Sequence, residues 1–204
     1  MDIIVNDTNI FIDLFTSGLL DEFHCLPIEV HTVDFVINEL TDDEQRKAVE
    51  FFVNCNHLKV HNLSGEEILD VANFQASLTG NLSYTDCAVC HYAKKNDYTL
   101  LTGDAQLRKQ AIKSNVKVKG IIYVFDILVE HQVITPQLAA ERISLLYKIN
   151  QRLPKKEIEE RITRWSKIKI INYSVIRQFR ITEYNYRFLF FTNSANDIYC
   201  GTAL

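Results

Sequence analysis

With 204 residues, 47% of them hydrophobic and 24% charged, the chain has enough apolar material for one good-sized α/β domain and none of the bias of a disordered or fibrous sequence. A net charge of −4 argues against a large basic surface that coats nucleic acid, while leaving room for a locally basic groove. No apolar run approaches the ~20 residues of a membrane span. The first residues lack the basic and apolar regions of a signal peptide, and five thinly spread cysteines read as reduced thiols, so a cytoplasmic protein is expected.

In chain order, Ile3, Ile4 and Val5 are β-branched and apolar, the composition of a strand buried on both faces in a parallel sheet. The strand ends at Asn6-Asp7-Thr8-Asn9, and from there Ile10, Phe11, Leu14 and Phe15 recur at helical spacing. Residues 28–33 predict a second strand, leading into a short helix over 34–40 that carries Glu39 near its end. Thr41-Asp42-Asp43-Glu44 reads as a capping box opening a helix over 42–54. Residues 58–63 alternate apolar and polar side chains, which suggests a third strand nearer the sheet edge. A further helix starts at 64–67, and Gly80-Asn81 breaks the chain. Ser83 then caps a helix with Asp86 in its first turn and Ala88, Val89, Tyr92 and Ala93 on its apolar side. Residues 98–102 predict a fourth buried strand. Gly103-Asp104 opens a helix with Leu107, Ala111 and Ile112 on one face. Residues 117–123 predict a fifth strand, and 126–131, 136–149 and 154–167 read as helices, the last two with proline near the first turn.

Asp7 and Asp104 thus follow strands one and four. If those strands are neighbours, both carboxylates emerge at one edge, in the crevice where strand order reverses. Asp86, on the helix leading into strand four, and Glu39, on the helix after strand two, can point into the same cleft. The plainer reading of Asp7 is a helix cap, and convergence of the other acids decides between the two. Four ionised carboxylates repel: at ~4 Å each pair costs ~1 kcal/mol in bulk water and ~4 kcal/mol at an effective dielectric of 20. Hard oxygen ligands with open water positions suit Mg2+ or Mn2+, and a metal in such a cleft meets the needs of phosphodiester hydrolysis.

The segments IIVNDTNIFIDL, VINELT, LSYTDCAVCHYA and YTLLTGDAQLRKQA resemble the PIN-domain ribonucleases, including the VapC-type toxins of toxin–antitoxin pairs. Asp7, Glu39, Asp86 and Asp104 match the four acid positions of that pattern. The resemblance implies that all four build a catalytic Mg2+ or Mn2+ site, directly or through water, with Asn9 and Thr102 in support. It implies a three-layer α/β/α fold on a parallel sheet of order 3-2-1-4-5, followed by extra C-terminal helices. It also implies a metal-dependent endoribonuclease in which water attacks phosphorus and leaves a 5′-phosphate, held in check by an antitoxin protein and often homodimeric. A non-catalytic PIN-like module for RNA binding or assembly is the alternative. Lys94, Lys95, Arg108 and Lys109, with Lys113, Lys117 and Lys119, are candidate RNA contacts; the other reading is solvated helix faces.

Other signals are discounted. Cys87-Ala88-Val89-Cys90-His91 has the haem-attachment spacing but lies inside a regular helix, and a zinc site there would need His24 or Cys25 without spacing support. Buried helix thiols are the reading preferred. Asp7-Thr8-Asn9 lacks the second acid of a haloacid-dehalogenase-type phosphatase. Asp13, Asp34, Asp42 and Asp43 read as caps or solvated residues. The nuclease domain is expected over 1–167. The tail over 168–204 falls outside the pattern; its aromatics, with Arg177, Arg180 and Arg187, suggest either packing on the domain or a partner, or stacking on RNA bases.

Overall fold

The structure is a computed structural model that describes residues 3–78 and 81–168. The readings made of the tail, including the apolar run at 188–191, lie outside the described residues.

Five parallel strands, β1 (Ile3–Asn6), β2 (Glu29–Val33), β3 (Leu58–His61), β4 (Thr99–Leu101) and β5 (Val118–Lys119), pair in the order β3-β2-β1-β4-β5. This is the expected order, with β3 at one edge. Between the strands run α1 (Thr8–Ser17), α2 (Leu20–His24), α3 (Asp34–Glu39), α4 (Asp43–Asn54), α5 (Gly65–Ala76), α6 (Tyr84–Lys95) and α7 (Ala105–Lys113). After β5 come α8 (Ile121–Glu130), α9 (Pro136–Ile149) and α10 (Lys155–Ser166). In a parallel sheet of this order, crossovers of the usual right hand put the β1-to-β3 connections over one face and the β3-to-β5 connections over the other, which makes three layers. Ile4 and Val5, adjacent in β1 and both buried, face opposite layers, which is why the strand is continuously apolar. Chain direction across the sheet reverses between β1 and β4, so a crevice opens at their carboxyl ends.

Several expectations are corrected. The fifth strand is two residues long rather than seven. Gly120 stands at the N-cap of α8, and Ile121, Ile122, Val124, Phe125, Ile127, Leu128 and Val129 are all buried on that helix. A helix apolar nearly all round looks like a strand where its first residues are β-branched. Helix α2 was not anticipated; five residues give too little periodicity to read. The cap of α4 is Asp42, which accepts from the Gln45 N–H at 2.9 Å, rather than a box begun by Thr41. Ile112 is exposed on α7 rather than part of its packed face. Asp13 is buried, accepting from the Asn150 side chain at 3.0 Å, rather than solvated.

Candidate functional site

Asp7 is fixed by strand and helix together. It follows β1, its N–H donates to the Leu101 carbonyl at 3.0 Å, and its side chain caps α1. Only 2% of its surface is exposed. Oδ1 accepts from the Thr8 N–H at 2.7 Å; Oδ2 accepts from the Thr102 hydroxyl at 2.7 Å and the Asn9 amide at 3.2 Å. Burial pushes its pKa up to about 6 against those three hydrogen bonds, with the charge of Asp86 adding to the rise.

The other acids are held by the local rules of their own elements. Asp86 closes a capping box on α6: its N–H donates to Ser83 Oγ, and its Oδ2 accepts from the Ser83 N–H, both at 2.9 Å. Burial raises its pKa despite the Ser83 bonds, and Asp104 and Glu39 add repulsion. Asp104 caps α7 through Oδ1, which accepts from Gln106 N–H at 2.8 Å and Leu107 N–H at 2.7 Å. Its own N–H donates to Thr102 Oγ1 at 2.9 Å. Glu39, the exposed last residue of α3, accepts from the Thr8 hydroxyl at 2.8 Å.

Two threonines therefore stitch the acids together. Thr102 bonds Asp7 and Asp104; Thr8 bonds Asp7 and Glu39. Asp86 stands within Coulombic range of all three other acids. The four carboxylates picked from sequence, with Asn9 and Thr102, thus meet at one edge of the sheet. Thr8 was missed, and the signal was its place between Asp7 and Asn9, from which its N–H reaches Asp7 and its hydroxyl reaches Glu39.

The acids do not form a tight cage. Among the described residues, no group of three or more His, Cys, Asp or Glu side chains is arranged to hold a metal ion. The hydrogen bonds above engage Oδ2 of Asp86, Oδ1 of Asp104 and Oε2 of Glu39, which leaves the second oxygen of each for another partner. Carboxylate oxygens are the hard donors that Mg2+ prefers, and Mg2+ characteristically keeps several of its waters.

The basic candidates divide. Arg108, one turn into α7, donates from Nη2 to the Thr102 carbonyl at 3.0 Å. A Cβ at Gly120 would lie 2.7 Å from that nitrogen, so the glycine makes its room. Lys109 is exposed beside it. Lys94 and Lys95 sit in the last turn of α6, eight or nine residues beyond Asp86, or roughly 12 Å along the helix at its ~1.5 Å rise. Lys95 donates to Glu67 at 2.9 Å. Lys117 lies 3.8 Å from Asp97, and Lys119 lies over the Tyr123 ring. Cys87 and Cys90 are buried free thiols, their pKa values pushed by burial up to about 11 and about 12, which leaves them poor ligands. A separate cleft of about 290 Å3 at the amino edge of the sheet, lined among others by His24, Glu29, His57 and Lys59, contains none of the four acids.

A family model described as PIN domain (DUF3368) matches residues 3–167. No curated protein matches the chain. Solved structures similar to it include a PilT N-terminus domain protein from the archaeon Sulfolobus solfataricus, 12% identical, covering 63% of this chain and 95% of its own, with a TM-score of 0.38. VapBC2 from Rickettsia felis, bound to a DNA fragment from its promoter, is 12% identical over 58% of this chain and 98% of its own, with a TM-score of 0.42. FitAcB from Neisseria gonorrhoeae is 12% identical over 56% of this chain and 95% of its own, with a TM-score of 0.37.

Proposed function

The chain belongs to the PIN-domain family, and on that premise we propose that it is a metal-dependent endoribonuclease, the toxin of a toxin–antitoxin pair acting in the cytoplasm. The observation that carries the reading is the meeting of Asp7, Glu39, Asp86 and Asp104, from four distant segments, at the crevice between β1 and β4. A binding module has no need of a cluster that repels itself.

In this reading Asp7, Glu39, Asp86 and Asp104 hold Mg2+ or Mn2+, directly or through water. Such a cation, when bound, neutralises charge on the carboxylates and the RNA phosphate and activates water for attack at phosphorus. The chain's own groups do the rest. Thr102, Asn9 and the Thr8 N–H lock the Asp7 carboxylate in one orientation. Ser83 holds Asp86 through Oδ2, which leaves Oδ1 for another partner. Arg108 and Lys109 bind the RNA backbone beside Asp104, and Lys94 and Lys95, in the last turn of α6, meet the same strand farther along.

The second reading, a non-catalytic RNA-binding or assembly module, draws on the absence of a close three-carboxylate group among the described residues. Incubation of the purified protein with varied RNAs in Mg2+, Mn2+ or EDTA separates the two. Cleavage that leaves 5′-phosphate ends, needs the metal and is abolished in Asp7→Asn and Asp86→Asn supports the nuclease. RNA binding without cleavage in either metal, or cleavage unchanged in those variants, supports the module. The toxin role has its own check: a small DNA-binding protein with a tail, encoded in the adjacent reading frame, that binds this chain and silences it.

A further inference from the structure

Helix α3 has six residues, too few to be stable alone, and Glu39 is its last. Its N-cap, Val33, supplies no side-chain hydrogen bond. The free carbonyls of its C-terminus fall to Arg46, on the first turns of α4. Arg46 Nε donates to the Leu40 carbonyl at 3.0 Å, and its Nη2 donates to the Asn38 carbonyl at 3.2 Å. One planar guanidinium thus grips the backbone on both sides of Glu39, where a cation is also favoured by the helix dipole.

We infer that Arg46 is a positioning residue for Glu39: its bonds to the Asn38 and Leu40 carbonyls hold the end of α3 so that the Glu39 carboxylate meets Thr8 and the acid cluster. The inference rests on the metal-site reading above. Arg46 acts only through the main chain. No carboxylate lies within ion-pair distance of it among the described residues. Glu39 itself touches the cluster through a single hydrogen bond, at 2.8 Å to Thr8 Oγ1, so its place depends on where α3 ends.

The test uses the full chain and Mn2+ uptake, followed by the electron paramagnetic resonance signal of free Mn2+, with no RNA present. Arg46→Ala weakens Mn2+ binding by about tenfold, the lower end for loss of a group that orients a ligand. Glu39→Gln weakens it at least as much, and the double variant binds no worse than Glu39→Gln alone. Arg46→Lys, which keeps the charge and can reach one carbonyl, recovers part of the loss. If Arg46→Ala fails to fold, the Arg46→Lys and Glu39→Gln pair carries the same cycle. Unchanged Mn2+ affinity in the Arg46 variants, or additive losses in the double variant, overturns the inference and leaves the metal site standing. A wild-type chain that takes up no Mn2+ overturns both.

Discussion

At Asp7 function and stability pull in opposite directions. The carboxylate is enclosed, and three hydrogen bonds do not offset its desolvation, so its pKa stands near 6 against 3.8 for an exposed aspartate. Between those values the native state keeps a proton that the unfolded chain has lost, so ionisation costs stability progressively as pH rises from 3.8 through 6. At 1.36 kcal/mol per pKa unit the full penalty above pH 6 is about 3 kcal/mol. Asp7→Asn is expected to raise the unfolding free energy in EDTA by up to that amount at pH 7.5, and by almost nothing at pH 4. Urea unfolding at the two values checks it; a variant less stable than wild type at pH 7.5 contradicts it. The position of Asp7 was legible because a buried strand, a polar turn and a helix leave one place for its side chain. Asp13 was not: its partner Asn150 is 137 residues away, a contact that no local pattern announces.

Among elements, α5 and α6 form a natural comparison, since both open with a complete capping box, Ser64 with Glu67 and Ser83 with Asp86. Replacing either serine by alanine is expected to cost about 1 kcal/mol of stability. The consequences for the site differ. Glu67 faces His61 and Lys95, away from the acids, whereas Ser83 fixes Asp86. Ser83→Ala therefore lowers Mn2+ affinity as well as the melting temperature, and Ser64→Ala lowers the melting temperature alone; calorimetry and an Mn2+ titration on both variants distinguish the two effects. Both helix starts were readable from a serine at the cap position, whereas the one box read from sequence, at Thr41–Glu44, gave way to a cap by Asp42. The start of α8 was not. Ile121 and Ile122 have strand-like chemistry, and only the buried positions continuing to Val129, with Gly120 ahead of them, make the segment a helix.

For the molecule as a whole, the alternation of strand and helix announces a parallel sheet and the family resemblance supplies its order, and that order brings residues 7 and 104 together from opposite halves of the domain. What the alternation did not contain was the spacing of the acids, which are joined through Thr8 and Thr102 rather than packed against one another. An arrangement held by hydrogen bonds while its charges repel should gain stability from any cation that binds only the folded state. At a free Mn2+ concentration 100 times its dissociation constant that gain is about 2.7 kcal/mol. For a chain of this size, at 2–4 °C per kcal/mol, the melting temperature rises by about 5–10 °C. EDTA reverses the shift. Asp86→Asn removes it and moves the metal-free baseline less than Asp7→Asn does, because Asp86 is only partly enclosed. Asp7→Asn removes it from a baseline already raised, so the wild type in Mn2+ and Asp7→Asn in EDTA should melt close together while only one of them responds to the ion. A melting temperature indifferent to Mn2+ and Mg2+ in the wild type would mean that the four carboxylates meet at the sheet edge without sharing a cation.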